Sequence, residues 1–235
     1  MTPPTRPTSF WWYAASAGLA WLGLAVSLAL NLTGFYDSDI VTTPSRYGYA
    51  AGAATPIQQR LADWVSYFTI WSNITVAVVA TLLARRARRV PGSPTPRVVN
   101  VIRLSSLVMI TITGLVYAVV LAPTSVQRGI DNLSNSLLHQ VTPILAIVVW
   151  LVIGPRREFC WRTVLLSTLL PLTWILWMLA RGAATGTYPY DFINAKALGW
   201  STALTNLGGV LLLGVVMAFV FLGLDRLLSR RQIRL

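Results

Sequence analysis

Six runs of about 20 or more apolar residues, each long enough to cross a hydrocarbon core, constrain this chain before any other feature does. They are Phe10–Leu32, Leu61–Ala84, Val98–Leu121, Leu133–Ile153, Trp161–Leu179 and Trp200–Leu222. Only 11% of the 235 residues are charged, against about 25% in a soluble domain. Those charges fall in short clusters between the runs. The longest connections, 33–60, 85–97 and 180–199, are too short for a separate soluble domain. A spanning segment must satisfy its backbone internally, which selects helices for runs of this length. The expectation is one all-α integral membrane domain over residues 1–235, a six-transmembrane-helix bundle. The first run holds small residues, Ala14, Ala15 and Ala17, of the kind found near signal cleavage sites. It is longer than the roughly 7–15 residues of a signal core, so it counts as a helix.

The net charge of +12 would suggest nucleic acid in a soluble protein. In a membrane protein it reports orientation, because cytoplasmic loops are enriched in Lys and Arg. Fourteen of the 19 basic residues sit on the N-terminal side of the alternating runs: Arg6, Arg85, Arg86, Arg88, Arg89, Arg97, Arg103, Arg156, Arg157, Arg162, Arg226, Arg230, Arg231 and Arg234. The other side holds five, Arg46, Arg60, Arg128, Arg181 and Lys196, and five of the seven acids, Asp37, Asp39, Asp63, Asp131 and Asp191. Both termini are therefore expected in the cytoplasm. The cluster Arg85–Arg89 is primarily an orientation signal and can also meet anionic headgroups. Membrane lipids are the expected partners, with no nucleic acid. A single lysine among 19 basic residues is associated with GC-rich bacterial genomes, which points to a bacterial plasma membrane. The single cysteine, Cys160, excludes an intramolecular disulfide and offers no metal-site spacing.

Polar residues at helical spacing inside such runs mark faces turned away from lipid. In the second run Asp63, Ser66, Thr69 and Asn73 recur every three or four residues, opposite Trp64, Phe68, Trp71 and Ile74. In the fourth, Asn132, Asn135 or Ser136, His139 and Pro143 share a face. Both runs start from the same side. At a rise of about 1.5 Å per residue, Thr69 lies roughly 12 Å in and His139 roughly 9 Å in. The sole histidine and a hydroxyl thus reach one level. A threonine hydroxyl attacks poorly until an adjacent base takes its proton, and histidine is the usual base near neutral pH. The bland reading stands beside this one: membrane threonines often bond their own backbone, and a lone histidine can simply bridge two helices.

The last external connection, 183–199, combines turn formers with Tyr188, Pro189, Tyr190, Asp191 and Phe192. It reads either as a lid, with Asp191 positioning a polar group, or as an interfacial aromatic anchor. No GxSG-type serine motif, HExxH motif, second histidine or nucleotide-binding glycine loop occurs. No metal or organic cofactor is expected.

SYFTIWSN at 66–73, HQVTPILAIVVWLV at 139–152 and TGTYPYDFIN at 185–194 resemble the bacterial six-transmembrane relatives of the androgen-induced and androgen-dependent TFPI-regulating proteins. The resemblance spans most of the chain. It implies a membrane threonine hydrolase of fatty-acid esters, with Thr69 as nucleophile and His139 as base. The chain departs from the animal members in its spacing TIWSN, which leaves Ser72 or Ser66 as alternative nucleophiles. The expected function is hydrolysis of a lipid ester near the outer leaflet by a Thr69/His139 pair. Asn73, Ser66, Asn135 or Gln140 are candidate oxyanion donors, and Asp63 or Asp131 candidates to orient the imidazole. The alternative is a non-catalytic lipid-binding or small-solute transport protein using the same polar residues.

Overall fold

The computed structural model describes residues 8–35, 56–90, 94–124 and 129–232. Arg6, Asp37, Asp39, Arg46, Arg128 and Arg234 of the charge tally lie outside them. Among the described residues every regular element is helical. Six stretches are long and apolar enough to cross a membrane: Thr8–Leu32, Phe68–Arg89, Arg97–Leu121, Asp131–Ile153, Trp161–Thr185 and Trp200–Ser229. The chain is thus a multi-pass helix bundle. The elements are α1 (Thr8–Leu32), α2 (Ile57–Ser66), α3 (Phe68–Arg89), α4 (Arg97–Val116), α5 (Asp131–Ser136), α6 (Thr142–Ile153), α7 (Trp161–Ser167), α8 (Leu169–Thr185), α9 (Ala195–Leu198) and α10 (Trp200–Gln232).

The second apolar run is not one helix. The chain breaks at Tyr67, which is extended at φ −74°, ψ 132°, so α2 and α3 are separate helices. The stripe Asp63, Ser66, Thr69, Asn73 is therefore split between two elements, and the equal-depth arithmetic, which assumed a straight helix from Leu61, loses its premise. No glycine or proline lies between residues 61 and 84, so the break has a tertiary cause. In a continuous helix the Val65 and Ser66 carbonyls would accept from Thr69 and Ile70. Here the Trp71 indole donates to the Val65 carbonyl at 2.7 Å and the Trp174 indole to the Ser66 carbonyl at 2.9 Å. Ile70 N–H turns to the Tyr67 carbonyl at 3.1 Å. Two indoles thus cap the end of α2 and leave the first amides of α3 to other partners.

Prolines shape the other spans in the same currency. Between α5 and α6 the chain makes a π turn, Leu137–Val141, in which Thr142 N–H bonds the Leu137 carbonyl five residues back. The next donor would be Pro143, which has no N–H. The Leu138 carbonyl therefore has no partner within its own helix. A second π turn, Tyr117–Leu121, extends α4. Single π turns are uncommon and are frequently found at functional sites. Between α7 and α8, Pro171 deprives the Ser167 carbonyl of its usual donor, and Ser105 of α4 supplies one at 2.8 Å.

Lipid tails are as apolar as leucine, so helices in a membrane associate through close packing rather than hydrophobic exclusion. Small residues permit it. Ala20 of α1 and Ala77 of α3 are fully buried and share a cluster with Leu24, Ile70 and Leu138. Two glycines flank the π turn at 137–141. A Cβ on Gly23 of α1 would come within 3.0 Å of Leu137 and Leu138, and one on Gly114 of α4 within 3.2 Å of Pro143.

At the far end, Arg103 is 3% exposed and bonds Glu158 at 2.8 Å and the Pro155 carbonyl at 3.2 Å. Its guanidinium lies 5.4 Å from the centre of the Phe159 ring, while the Asp225 carboxylate accepts from Phe159 N–H at 3.2 Å. These contacts tie the 154–160 connection to α4 and α10. Arg103 and Arg181, counted above as loop charges, are thus helix residues held in ion pairs.

Candidate active site

Thr69 stands in the first turn of α3, immediately after the break, and is 6% exposed. Its Oγ1 lies 3.1 Å from Nε2 of His139. The sequence expectation that these two side chains meet is matched in position, although the helix carrying Thr69 is bent. His139 occupies the middle of the π turn. Its Nδ1 lies 3.1 Å from the Asn135 carbonyl of the preceding turn. A carbonyl only accepts, so Nδ1 carries the proton and Nε2 is the free acceptor facing Thr69. Thr69 Oγ1 therefore donates to His139. The proton arrangement is the one a hydroxyl nucleophile and its base require.

The imidazole is fixed on both faces of its chemistry. The Tyr117 ring stacks on it, centroids 4.4 Å apart and planes inclined by 23°. Asn135 Nδ2 donates to the Tyr117 hydroxyl at 2.6 Å. Asn135 thus holds the histidine through its carbonyl and the stacking ring through its amide, so it orients the base. The second π turn begins at Tyr117, so both rings of the stack belong to π turns.

Asn73 is fully buried and its amide nitrogen donates twice, to the Thr69 carbonyl at 2.8 Å and the Leu138 carbonyl at 3.1 Å. Two carbonyl partners identify that atom as nitrogen rather than oxygen. Leu138 is the residue whose carbonyl the π turn and Pro143 leave without a donor in its own helix. Asn73 therefore clips the segment bearing the base to the helix bearing the hydroxyl. Both its protons are committed.

The remaining candidates divide clearly. Ser72 bonds the Thr69 carbonyl at 2.9 Å and Thr113 Oγ1 at 2.8 Å. Ser66 donates to the Ala62 carbonyl at 2.6 Å and accepts from Trp177 at 3.2 Å and Arg181 at 3.0 Å. Neither hydroxyl contacts His139. Gln140 is exposed, as is Asn132. Asp63 pairs with Arg181 at 2.5 Å, and the imidazole Nδ1 meets a backbone carbonyl. Asp131 is half-buried at the start of α5.

The segment 186–194 is folded inward. Tyr190 is 7% exposed, and its hydroxyl accepts from Thr69 N–H at 3.4 Å and lies 3.5 Å from Thr69 Oγ1. Tyr188 is 2% exposed and packs on Gly182, where a Cβ would come within 2.2 Å of the ring. Burial raises the Tyr188 phenol above its ordinary pKa. Phe192 stacks on Tyr190 at 5.6 Å, whereas Asp191 is exposed. No protein-family model matches the chain, and neither a curated protein nor a solved structure matches it. The site is accordingly read from its own geometry.

Tyr117 and the direct contact of Tyr190 with Thr69 were missed from sequence. Tyr117 sits near the end of an apolar run with only Thr113 as a polar neighbour in register. Tyr190 lay in a segment whose two readings, lid and anchor, use the same aromatic residues. Among the described residues no group of three His, Cys, Asp or Glu side chains gathers to hold a metal ion.

Proposed function

We propose that the chain is a membrane-embedded hydrolase of lipid (fatty-acid) esters, with Thr69 as nucleophile and His139 as general base. The observation that carries this reading is the 3.1 Å contact between Thr69 Oγ1 and His139 Nε2, with Nδ1 occupied by a backbone carbonyl. The resemblance to the androgen-induced and androgen-dependent TFPI-regulating proteins supports the same roles for the same residues. The charge asymmetry supports cytoplasmic termini in a bacterial plasma membrane, with the Thr69 end of α3 on the outer side. A substrate reaching that end from the outer leaflet is a lipid.

The chemistry follows from the proton arrangement. Nε2 takes the Thr69 proton as Oγ1 attacks the ester carbonyl carbon. The imidazolium then gives that proton to the departing alkoxide oxygen, and the acyl group stays on Thr69. Water, deprotonated at the same nitrogen, attacks the acyl carbon. Collapse returns the proton to Thr69 and releases the fatty acid. General-base assistance of this kind contributes about 10²–10⁴-fold.

The test is hydrolysis of a panel of lipid esters by purified, detergent-solubilised protein. Thr69→Ala and His139→Ala run beside wild type, each with a thermal melt. Turnover in wild type that disappears in both folded variants is expected. Turnover surviving in Thr69→Ala would move the nucleophile elsewhere. Absence of turnover on every ester, with Thr69 unlabelled by an alkyl fluorophosphonate, would turn the reading toward lipid binding or transport.

A further inference from the structure

We propose that the Tyr190 hydroxyl and the backbone N–H of Thr69 together form the oxyanion hole of this site, making the external segment 186–194 part of the catalytic machinery. The inference rests on the hydrolase reading above and names what that reading leaves open. An acyl transfer places negative charge on the former carbonyl oxygen, one bond angle from the attacking Oγ1. Its donors must therefore sit beside the nucleophile itself.

Of the side-chain candidates, Gln140 is exposed and the others bond elsewhere. Asn73 holds two carbonyls, Asn135 holds Tyr117, and Ser66 and Ser72 bond partners away from the imidazole. What remains next to Thr69 Oγ1 is its own amide and the Tyr190 hydroxyl. The helix break releases that amide from the Val65 carbonyl, whose donor is now Trp71. It opens the 22-residue helix α3, so the partial positive charge of the helix end favours an anion there. A nucleophile whose own N–H helps bind the oxyanion is the arrangement of the serine-protease triad.

The hydrogen polarity on the Thr69 side is set by its neighbours. Thr69 N–H donates to the phenol oxygen, and the single Thr69 hydroxyl proton goes to His139. In the 3.5 Å contact of the two hydroxyls Thr69 has no proton left to give, so a proton in that contact comes from Tyr190. A substrate carbonyl oxygen seated against both the Thr69 amide and the phenol accepts from both, in place of the hydrogen bond between them. The phenol is held for this by edge-on contact with Tyr67 at 5.7 Å and stacking on Phe192. Its segment is pinned by Tyr188 over Gly182 and by Asn206 Nδ2 on the Phe192 carbonyl at 2.7 Å.

The experiment uses full-length detergent-solubilised protein and compares wild type, Thr69→Ala and Tyr190→Phe. Each is given an ester substrate, a long-chain trifluoromethyl ketone that forms a tetrahedral oxyanion, and the matching methyl ketone that does not. Tyr190→Phe is expected to lower kcat by about 10²–10³-fold with KM changed only a few-fold. Trifluoromethyl ketone affinity should fall with kcat while methyl ketone affinity holds. A phenol that only braced Thr69 would not separate the two ketones. Should Tyr190→Phe fold poorly, a monofluorinated tyrosine at 190 keeps ring and hydroxyl and should tighten the trifluoromethyl ketone at an unchanged melt. Tyr190→Phe within about threefold of wild-type kcat, in an enzyme that Thr69→Ala inactivates, overturns the oxyanion role and leaves the hydrolase standing. An identical trifluoromethyl ketone affinity with the fluorinated residue overturns it too. No turnover in wild type and no labelling of Thr69 by an alkyl fluorophosphonate overturns both.

Discussion

Asn73 and Leu138, 65 residues apart in sequence, are joined by a 3.1 Å hydrogen bond from the Asn73 amide to the Leu138 carbonyl. That carbonyl is available only because Thr142 N–H reaches back to Leu137 and Pro143 brings no proton of its own. One side chain thereby sets the distance between the hydroxyl and the base. Asn73→Ala removes two buried hydrogen bonds and leaves the Leu138 carbonyl short of a donor, while the Thr69 carbonyl keeps the Ser72 hydroxyl, a loss of about 1–3 kcal/mol for the group left unsatisfied. Thermal melts should drop by that order. Turnover should fall further than folding does, because His139 is released from Thr69. Lower melting with unchanged turnover of the folded fraction would reduce Asn73 to a stabilising clip.

Pro143→Ala probes the π turn itself. Alanine restores an N–H that the His139 or Leu138 carbonyl can accept, and it removes the ring that packs toward Gly114. The expected result is a protein that melts no lower than about 1 kcal/mol below wild type, since a helix-favouring residue offsets the lost ring contacts. It should nonetheless lose most of its turnover, because the turn that aims His139 can relax to regular helix. Full turnover in this variant would show that the geometry at His139 is held by its neighbours rather than by the proline.

The bundle was legible because length and charge alternation are properties of the chain alone. The first, third and fourth spans begin and end within a few residues of the apolar runs, the second starts later because of the break at Tyr67, and the fifth and sixth extend beyond theirs. The Thr69–His139 pairing was legible for a weaker reason. Two polar positions in apolar runs, counted from the same side, had few other partners. The break at Tyr67 was not legible, since no glycine or proline lies in residues 61–84 and the donors that take the freed carbonyls are the indoles of Trp71 and of Trp174 in α8. The role of Asn73 was misread for the same reason. Its type suggested an oxyanion donor, but the carbonyl it serves exists only once Pro143 has remodelled a different span.

Asp63 and Arg181 form a pair whose partners are 4% and 11% exposed, with Ser66 bonded to the same guanidinium. The pair anchors α2 to α8 just ahead of the break. Arg181→Met alone should destabilise by about 3–5 kcal/mol, because it takes the cation away from a buried carboxylate. Combining it with Asp63→Asn should recover a good part of that loss. A double variant no better than the single would show that the two charges do not act as a pair.

Trp71 holds the break from within α3, through the 2.7 Å bond of its indole to the Val65 carbonyl. Trp71→Phe keeps an aromatic ring there and removes the donor. The Val65 carbonyl then regains its natural partner four residues on, the amide of Thr69, and the helix can run through. Hydrogen exchange should report this directly, with the Thr69 amide becoming more protected as it enters a regular helical bond. Turnover should fall at the same time, because that amide would no longer be available beside Tyr190. Unchanged exchange at Thr69 together with full turnover would mean that Trp174 alone maintains the break, and that the Trp71 indole only occupies a carbonyl already freed.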